Sequence, residues 1–541
     1  MVSDDRALGG RTDPRLVADL IRLTVAVGII LCCFVVATPR NGGPDETSHT
    51  VYSAALVRGD ALRASNGFGV FLVPEMVGRP STECWALQSF VPADCASLGS
   101  SSTDLAPAST LAADYAPYAY LLPGLASFVP SPAAYMYLAR LLMASIPFLL
   151  VVSGLARLRR HAGPGAFAAA LLGLTPIAWF SMSIVNPSAV AIAGGFALWV
   201  ALLTPADRRA DMLLVAAWAC VLLPRRDGPL WATLIVLAVC MAGRRRPREI
   251  WDGLRHWARW AVGILAAVPV VTTVAMGADE LEVVLALAPL SLLAVPALVT
   301  AYERSTSRGL FVGSLIAAGI AVSTLVIAVF RPDGIEAWVV RLVVSKTGEH
   351  LRQLVGVLSS LDAPVPTSAV VLFWVAVGGL VAVARLESPR VALTGVVSIA
   401  ATIYLAWVLE LGQGSDTGSY WQGRYSVPFT VGLPLLLAVR FRHDAVGSSR
   451  AVDTFARPLA VAAWFIWNAG FLAALQRWGV GLAGSWWPWE WDTWGAPVPP
   501  WLLALVHAAA TALLAGVALR SRSSDSPARS LDGEPAASHG Q

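Results

Sequence analysis

Charge is scarce in this chain of 541 residues: only 14% are Asp, Glu, Lys or Arg, and Lys346 is the only lysine. A water-soluble surface needs roughly a quarter of its residues charged, so a soluble globular enzyme is excluded. The formal net charge of +4 is small and the arginines are dispersed in short loops, which excludes a nucleic-acid footprint. Cysteine is sparse too, six in all, and none has zinc or redox spacing. P-loop, dinucleotide fingerprint and Ser/His/Asp signature are all missing, which argues against ATP-driven transport within this chain.

What is abundant is apolar. Hydrophobic residues make up 56% of the chain, in repeated stretches near the length that crosses a bilayer. Hydropathy predicts an all-α polytopic membrane protein of about 14 helices, with a long first extracytoplasmic loop. The spans fall at Leu16–Thr38, Ala133–Leu155, Pro164–Ile184, Ser188–Leu203, Met212–Leu223, Pro229–Ala242, Ala261–Met276, Leu281–Thr300, Leu310–Phe330, Ser368–Ala384, Val391–Leu411, Ser426–Val439, Leu459–Leu475 and Trp501–Leu519. Residues 1–15 form a cytoplasmic tail, 16–519 the membrane domain and 520–541 a disordered cytoplasmic tail. The outer loops of interest cover 39–132, 331–366 and 412–425.

The positive-inside rule puts most basic loops in the cytoplasm and makes the exceptions informative. Arg225, Arg226 and Arg424 fall at outer ends of spans, and Arg341, Lys346 and Arg352 fall in the outer loop 331–366. Outer cations of this kind pair with acids, meet lipid headgroups or serve anionic ligands. In the 331–366 loop, apolar residues from Trp338 to Leu358 recur at helical spacing, as in amphipathic helices lying on a membrane surface.

Pro39 to Asp60 follows the first span and holds Asp45, Glu46 and His49 beside the membrane. Pro44 suits a first helical position, so a helix is expected from Asp45, with Asp45, His49, Tyr52 and Leu56 on one face. Two readings stand: acids that stabilise a helix start, or a carboxylate pair with an imidazole serving as base or metal ligand. In the 412–425 loop, four glycines break the structure and Tyr420, Trp421 and Tyr425 surround Arg424, an arrangement that suits a phosphate or a sugar. Five tryptophans crowd residues 486–494, as in an interfacial belt or a sugar-stacking surface. Tyr115–Pro130, apolar but interrupted by prolines, reads as an interfacial or re-entrant element. Cys84 and Cys95 lie in a polar loop, and an extracytoplasmic setting would let them close a short disulfide.

Three segments resemble a known family. They are Pro44-Asp45-Glu46 with His49, then Asn186-Pro187-Ser188, then Gln422-Gly423-Arg424-Tyr425 with Pro428. In that order they are similar to motifs of the bacterial multi-pass membrane family of domain of unknown function 2142, grouped with the GT-C glycosyltransferases. Ser188 departs from the pattern, standing where an acid is often found.

The resemblance implies a GT-C bundle in the plasma (inner) membrane with an extracytoplasmic site. The donor would be a polyprenyl-phosphate-linked sugar and the acceptor an envelope glycan, lipid or protein. Asp45 would be the base, Glu46 the second acid, and His49 would orient an acid or contact donor phosphate. Arg424, with Arg225, Arg226, Arg341 and Lys346, would meet donor phosphate, and Tyr420, Trp421, Tyr425 and Asn186 would meet sugar or acceptor. A metal-dependent version would use Asp45 and Glu46 to hold Mg or Mn; no other cofactor is implied. The rival classes are a transporter or flippase of lipid-linked saccharides, for which Arg140 and Glu410 near the spans would speak, and a noncatalytic envelope scaffold.

Overall fold

The computed structural model describes residues 13–60, 69–78, 84–95, 100–243, 247–275, 280–294, 319, 324, 334–412, 421–442, 445–491 and 494–520. The first helix, α1 (Pro14–Ala37), is capped by Asp13, whose side chain accepts from Arg15 N, and it ends where Pro39 cannot continue it. Leu23, Ala26, Val27, Ile30, Phe34 and Ala37 are buried at helical spacing, while Ile21, Val25 and Cys32 face outward, so one stripe meets the core and the other suits lipid.

After α1 come α2 (Glu46–Arg58) and an antiparallel hairpin of β1 (Gly69–Pro74) and β2 (Leu105–Thr110), in register from Gly69↔Thr110 to Pro74↔Leu105. The hairpin is anchored to α2 by Thr110 Oγ1, which donates to the Ser48 carbonyl at 2.7 Å. Two further two-stranded hairpins join residues 357–358 to 363–364 and 439–442 to 445–448, so the purely α expectation is corrected by short β pairs in loops.

The rest of the bundle is built from α3 (Pro132–His161), α4 (Pro164–Gly173), α5 (Pro176–Ser181), α6 (Ser188–Leu202), α7 (Arg208–Leu222), α8 (Gly228–Gly243), α9 (His256–Ala275), α10 (Ala337–Ser345), α11 (Thr347–Val355), α12 (Thr367–Glu387), α13 (Pro389–Gly412), α14 (Ala456–Gly479) and α15 (Pro500–Arg520). Among the described residues seven helices are long and apolar enough to cross a membrane: α1, α3, α9, α12, α13, α14 and α15.

The expected count of about 14 is not confirmed by these seven. Pro164–Ile184 is not one span, because Thr175 adopts an extended conformation before Pro176 and the helix breaks. The freed Leu174 carbonyl accepts from Trp467 Nε1. Ser426–Val439 is likewise divided into Val427–Thr430 and Leu433–Ala438. Gly432 there presses on Trp199, whose Nε1 donates to the Phe429 carbonyl at 2.8 Å. Every residue of α6 is buried, as befits a helix apolar all round. At 15 residues it extends about 22 Å, short of the roughly 30 Å hydrocarbon layer. All but residues 319 and 324 of the expected span Leu310–Phe330, and the tail from Ser521, lie outside the described residues.

Charge marks the two ends of the bundle. At one, Asp19 of α1 accepts from Arg22 and from Arg159 of α3, both at 2.8 Å. At the other, where α1 finishes and α3 begins, the candidate site assembles.

Candidate active site

The helix after the first span starts one residue later than the pattern suggests. Asp45 is the residue before α2, in the left-handed region at φ 59°, ψ 10°, and its side chain caps nothing. That conformation costs a non-glycine residue about 1 kcal/mol, and Asp tolerates it better than most. Its carboxylate reaches Arg424 instead, with Nη2 donating to Oδ2 at 2.7 Å. Asp45 remains 48% exposed while Arg424 is only 3% exposed.

Glu46, next in sequence, has a different fate. It is buried and receives Arg140 Nε at 2.8 Å and Nη2 at 2.7 Å, with Val185 N at 3.1 Å and Gly43 N at 3.2 Å. Burial alone would raise its pKa, but Arg140 holds the carboxyl below its ordinary value. Arg140 also donates to the carbonyls of Val35, Thr38 and Pro39, satisfying acceptors that the end of α1 leaves open. Glu46 is therefore engaged on both oxygens in holding the loop. Asn186 belongs to the same lock: Nδ2 donates to the Pro44 carbonyl at 3.2 Å and Oδ1 accepts from Ser188 N at 2.9 Å.

His49 sits one turn into α2, buried, with Nδ1 3.0 Å from the Tyr120 hydroxyl and its ring edge-on to Tyr115. Burial pushes its imidazole down to about 4. The Asp45 carboxylate opposes this and the Arg424 and Arg225 guanidiniums add to it, so the ring is neutral at physiological pH. Burial also raises the Tyr120 and Tyr115 hydroxyls, which keep their protons.

Arg424 is delivered by a tight turn. Gly423 lies so close to Gln353 of α11 that a Cβ would be 2.5 Å from the Gln353 Cβ, and its N–H donates to Gln353 Oε1 at 2.6 Å. The guanidinium sits 5.0 Å from the Tyr425 ring centre and Arg225 sits 4.3 Å from the same ring. Arg225 is occupied by Asp227, at 2.8 Å, and by the Ser188 hydroxyl, at 3.1 Å. Burial would lower its pKa, yet Asp227 with Tyr115 and Tyr425 holds it above the ordinary value. Arg424 differs: its Nε and Nη1 are buried with no hydrogen-bond partner among the described residues. Two orphaned guanidinium N–H groups at a half-open carboxylate form the shape of an anion site.

The other expected residues divide. Trp421 is buried against Trp231 and Tyr425, its N–H donating to the Glu410 carboxylate and its indole Nε1 unpartnered. Arg226 turns away and donates to the Asp114 carbonyl at 2.7 Å. Arg341 is exposed on α10 and Lys346 follows it; neither is among the bonded partners of Arg424, which are Asp45 and Tyr425. Tyr420 lies outside the described residues. Cys84 is disulfide-bonded, while the side chain of Cys95 lies outside the described residues. In the tryptophan loop, Trp494 Nε1 donates to the Ala37 carbonyl at 2.9 Å, and Trp486, Trp487 and Trp489 are exposed.

The residues the sequence did not single out are Tyr115, Tyr120, Ser188 as a ligand of Arg225, and Arg140 as the partner of Glu46. Sequence separations of 94 residues for Arg140 with Glu46 and 71 for Tyr120 with His49 leave no local signal for those two pairings. Among the described residues no three His, Cys, Asp or Glu side chains gather to hold a metal ion. With Glu46 occupied and Asp45 facing a guanidinium, the donor set does not fit a divalent cation.

Comparison with known families comes to one result: the chain belongs to the family described as predicted membrane protein (DUF2142), which matches residues 29–433. No curated protein and no solved structure matches the chain.

Proposed function

We propose that this protein is a GT-C-type membrane glycosyltransferase. It would take a sugar from a polyprenyl-phosphate donor and pass it to an envelope glycan, lipid or protein on the outer face of the plasma membrane. The observation that carries this reading is the pairing of a half-exposed Asp45 carboxylate with a buried Arg424 whose Nε and Nη1 are unpartnered. An inverting transfer needs both parts. The acceptor oxygen attacks the anomeric carbon as its proton passes to the Asp45 carboxylate. The bond from that carbon to the phosphate oxygen breaks, and the departing phosphate is met by Arg424. Neutral His49, tied to Tyr120, orients the first turn of α2 without adding charge.

The transporter reading loses its two supports. Arg140 is spent on Glu46 and three carbonyls, and Glu410 accepts from the Trp421 amide. Groups committed to such bonds are poor carriers of a coupling ion.

The test uses purified full-length protein in proteoliposomes with a polyprenyl-phosphate-linked sugar and envelope lipid extract as acceptor. Arg424→Ala should raise the donor KM at least tenfold. A donor KM and a turnover that both equal wild type would remove Arg424 from the phosphate role.

A further inference from the structure

Residues 117–128, just before α3, carry two unlike surfaces. The inner one is fixed on α2. Tyr120 is buried with its hydroxyl on His49, and its ring centre is 4.9 Å from that of Tyr52. Gly124 is seated so closely that a Cβ would stand 2.1 Å from a Val57 methyl and 2.3 Å from the Ser53 carbonyl oxygen. Arg58 donates Nη2 to the Ser127 carbonyl at 2.7 Å and lies over the Phe128 ring at 4.9 Å. The segment is thus held at three points.

The outer surface is apolar and open. Leu121 is 50% exposed and Phe128 60%, with Leu122 and Leu125 between them also exposed. A large apolar face on a well-anchored segment calls for a cover. What lies beside it identifies the cover. The Tyr118 hydroxyl is 3.1 Å from Thr272 Oγ1 on α9. Thr272 sits between the exposed Val271 and Val274 on a helix long and apolar enough to cross a membrane. On its other side the segment runs into α3, a second such helix. The apolar face therefore continues the lipid-facing flanks of two spans.

We propose that Leu121, Leu122, Leu125 and Phe128 insert into the bilayer hydrocarbon at the site end of the bundle. The wall of the site formed by Tyr120 then stands at the lipid boundary. Membrane insertion itself does not rest on the transferase reading and is tested without turnover.

The test places an environment-sensitive nitrobenzoxadiazole label on Leu125→Cys, on Phe128→Cys and on Thr103→Cys, an exposed position of the same loop. Each full-length variant is held in phosphatidylcholine nanodiscs, with labelled wild type as the blank. Labels at 125 and 128 should emit to the blue of that at 103 and be quenched at least threefold more by doxyl-labelled phosphatidylcholine. If one variant does not fold, the other decides. Quenching at both 125 and 128 equal to that at 103 would overturn the proposal, as would water-like emission at 125 in nanodiscs.

Discussion

Asp45 and Glu46 are neighbours with the same chemistry and opposite settings, and substitution should separate them. Glu46→Gln strips the charge partner from Arg140, a buried pair whose disruption costs about 3–5 kcal/mol. Asp45→Asn, at a half-exposed pair, should cost about 1 kcal/mol or less. Thermal unfolding in detergent checks this, and equal losses in the two variants would contradict the division of roles. His49 adds a pH effect. Its pKa falls from 6.5 to about 4 in the folded chain, so the unfolded chain binds its proton first as pH drops. Its contribution is complete above pH 6.5 and is lost progressively toward pH 4, by roughly 3 kcal/mol in all. His49→Gln should flatten stability over that window; an unchanged slope between pH 6.5 and 4 would count against a neutral buried ring.

Among the elements, the turn Gln422–Tyr425 positions the guanidinium, and Gly423 is its hinge of fit. Gly423→Ala drives a methyl into Gln353 and should displace Arg424, lowering sugar transfer more than tenfold while the melting temperature falls by a few degrees. Transfer at the wild-type rate would show that the close seat on α11 does not set the guanidinium.

Most spans were legible because long apolar runs leave little choice: α1 and α12 to α15 lie within a few residues of their expected bounds. Hydropathy failed at Thr175-Pro176 and around Gly432, since an average over apolar residues passes through a break that one proline or one close tryptophan makes. Asp45 and Arg424 were legible as charges at unusual places. The bond of Glu46 to Arg140 was not legible because the two are remote in sequence, and only the fold shows which carboxylate is held by a buried guanidinium.

At the scale of the whole molecule, the first loop is tied to the bundle at a second place as well. Arg477 of α14 donates to the carbonyls of Trp85 and Val91 and to Asp362, all at 2.6–2.7 Å, and Asp362 also accepts from Leu87 N. This buried hub joins the stretch around Trp85 to the bundle. Arg477→Leu leaves Asp362 unpaired and should cost about 3–5 kcal/mol, read as a lower melting temperature together with faster proteolysis in the first loop. A melting temperature equal to wild type would mean that the hub does not hold the loop.

The bundle therefore does two things for one site: α1, α3 and the 185–186 turn clamp residues 43–46, and α11 seats Arg424 against them. The central claim is that Asp45 acts as the base in that assembly. Its most direct test is the turnover of Asp45→Asn with a polyprenyl-phosphate-linked sugar in proteoliposomes, beside a melting curve of the same sample. The expected result is a fall of roughly 10²–10⁴-fold in kcat at near wild-type stability; turnover within twofold of wild type would contradict it.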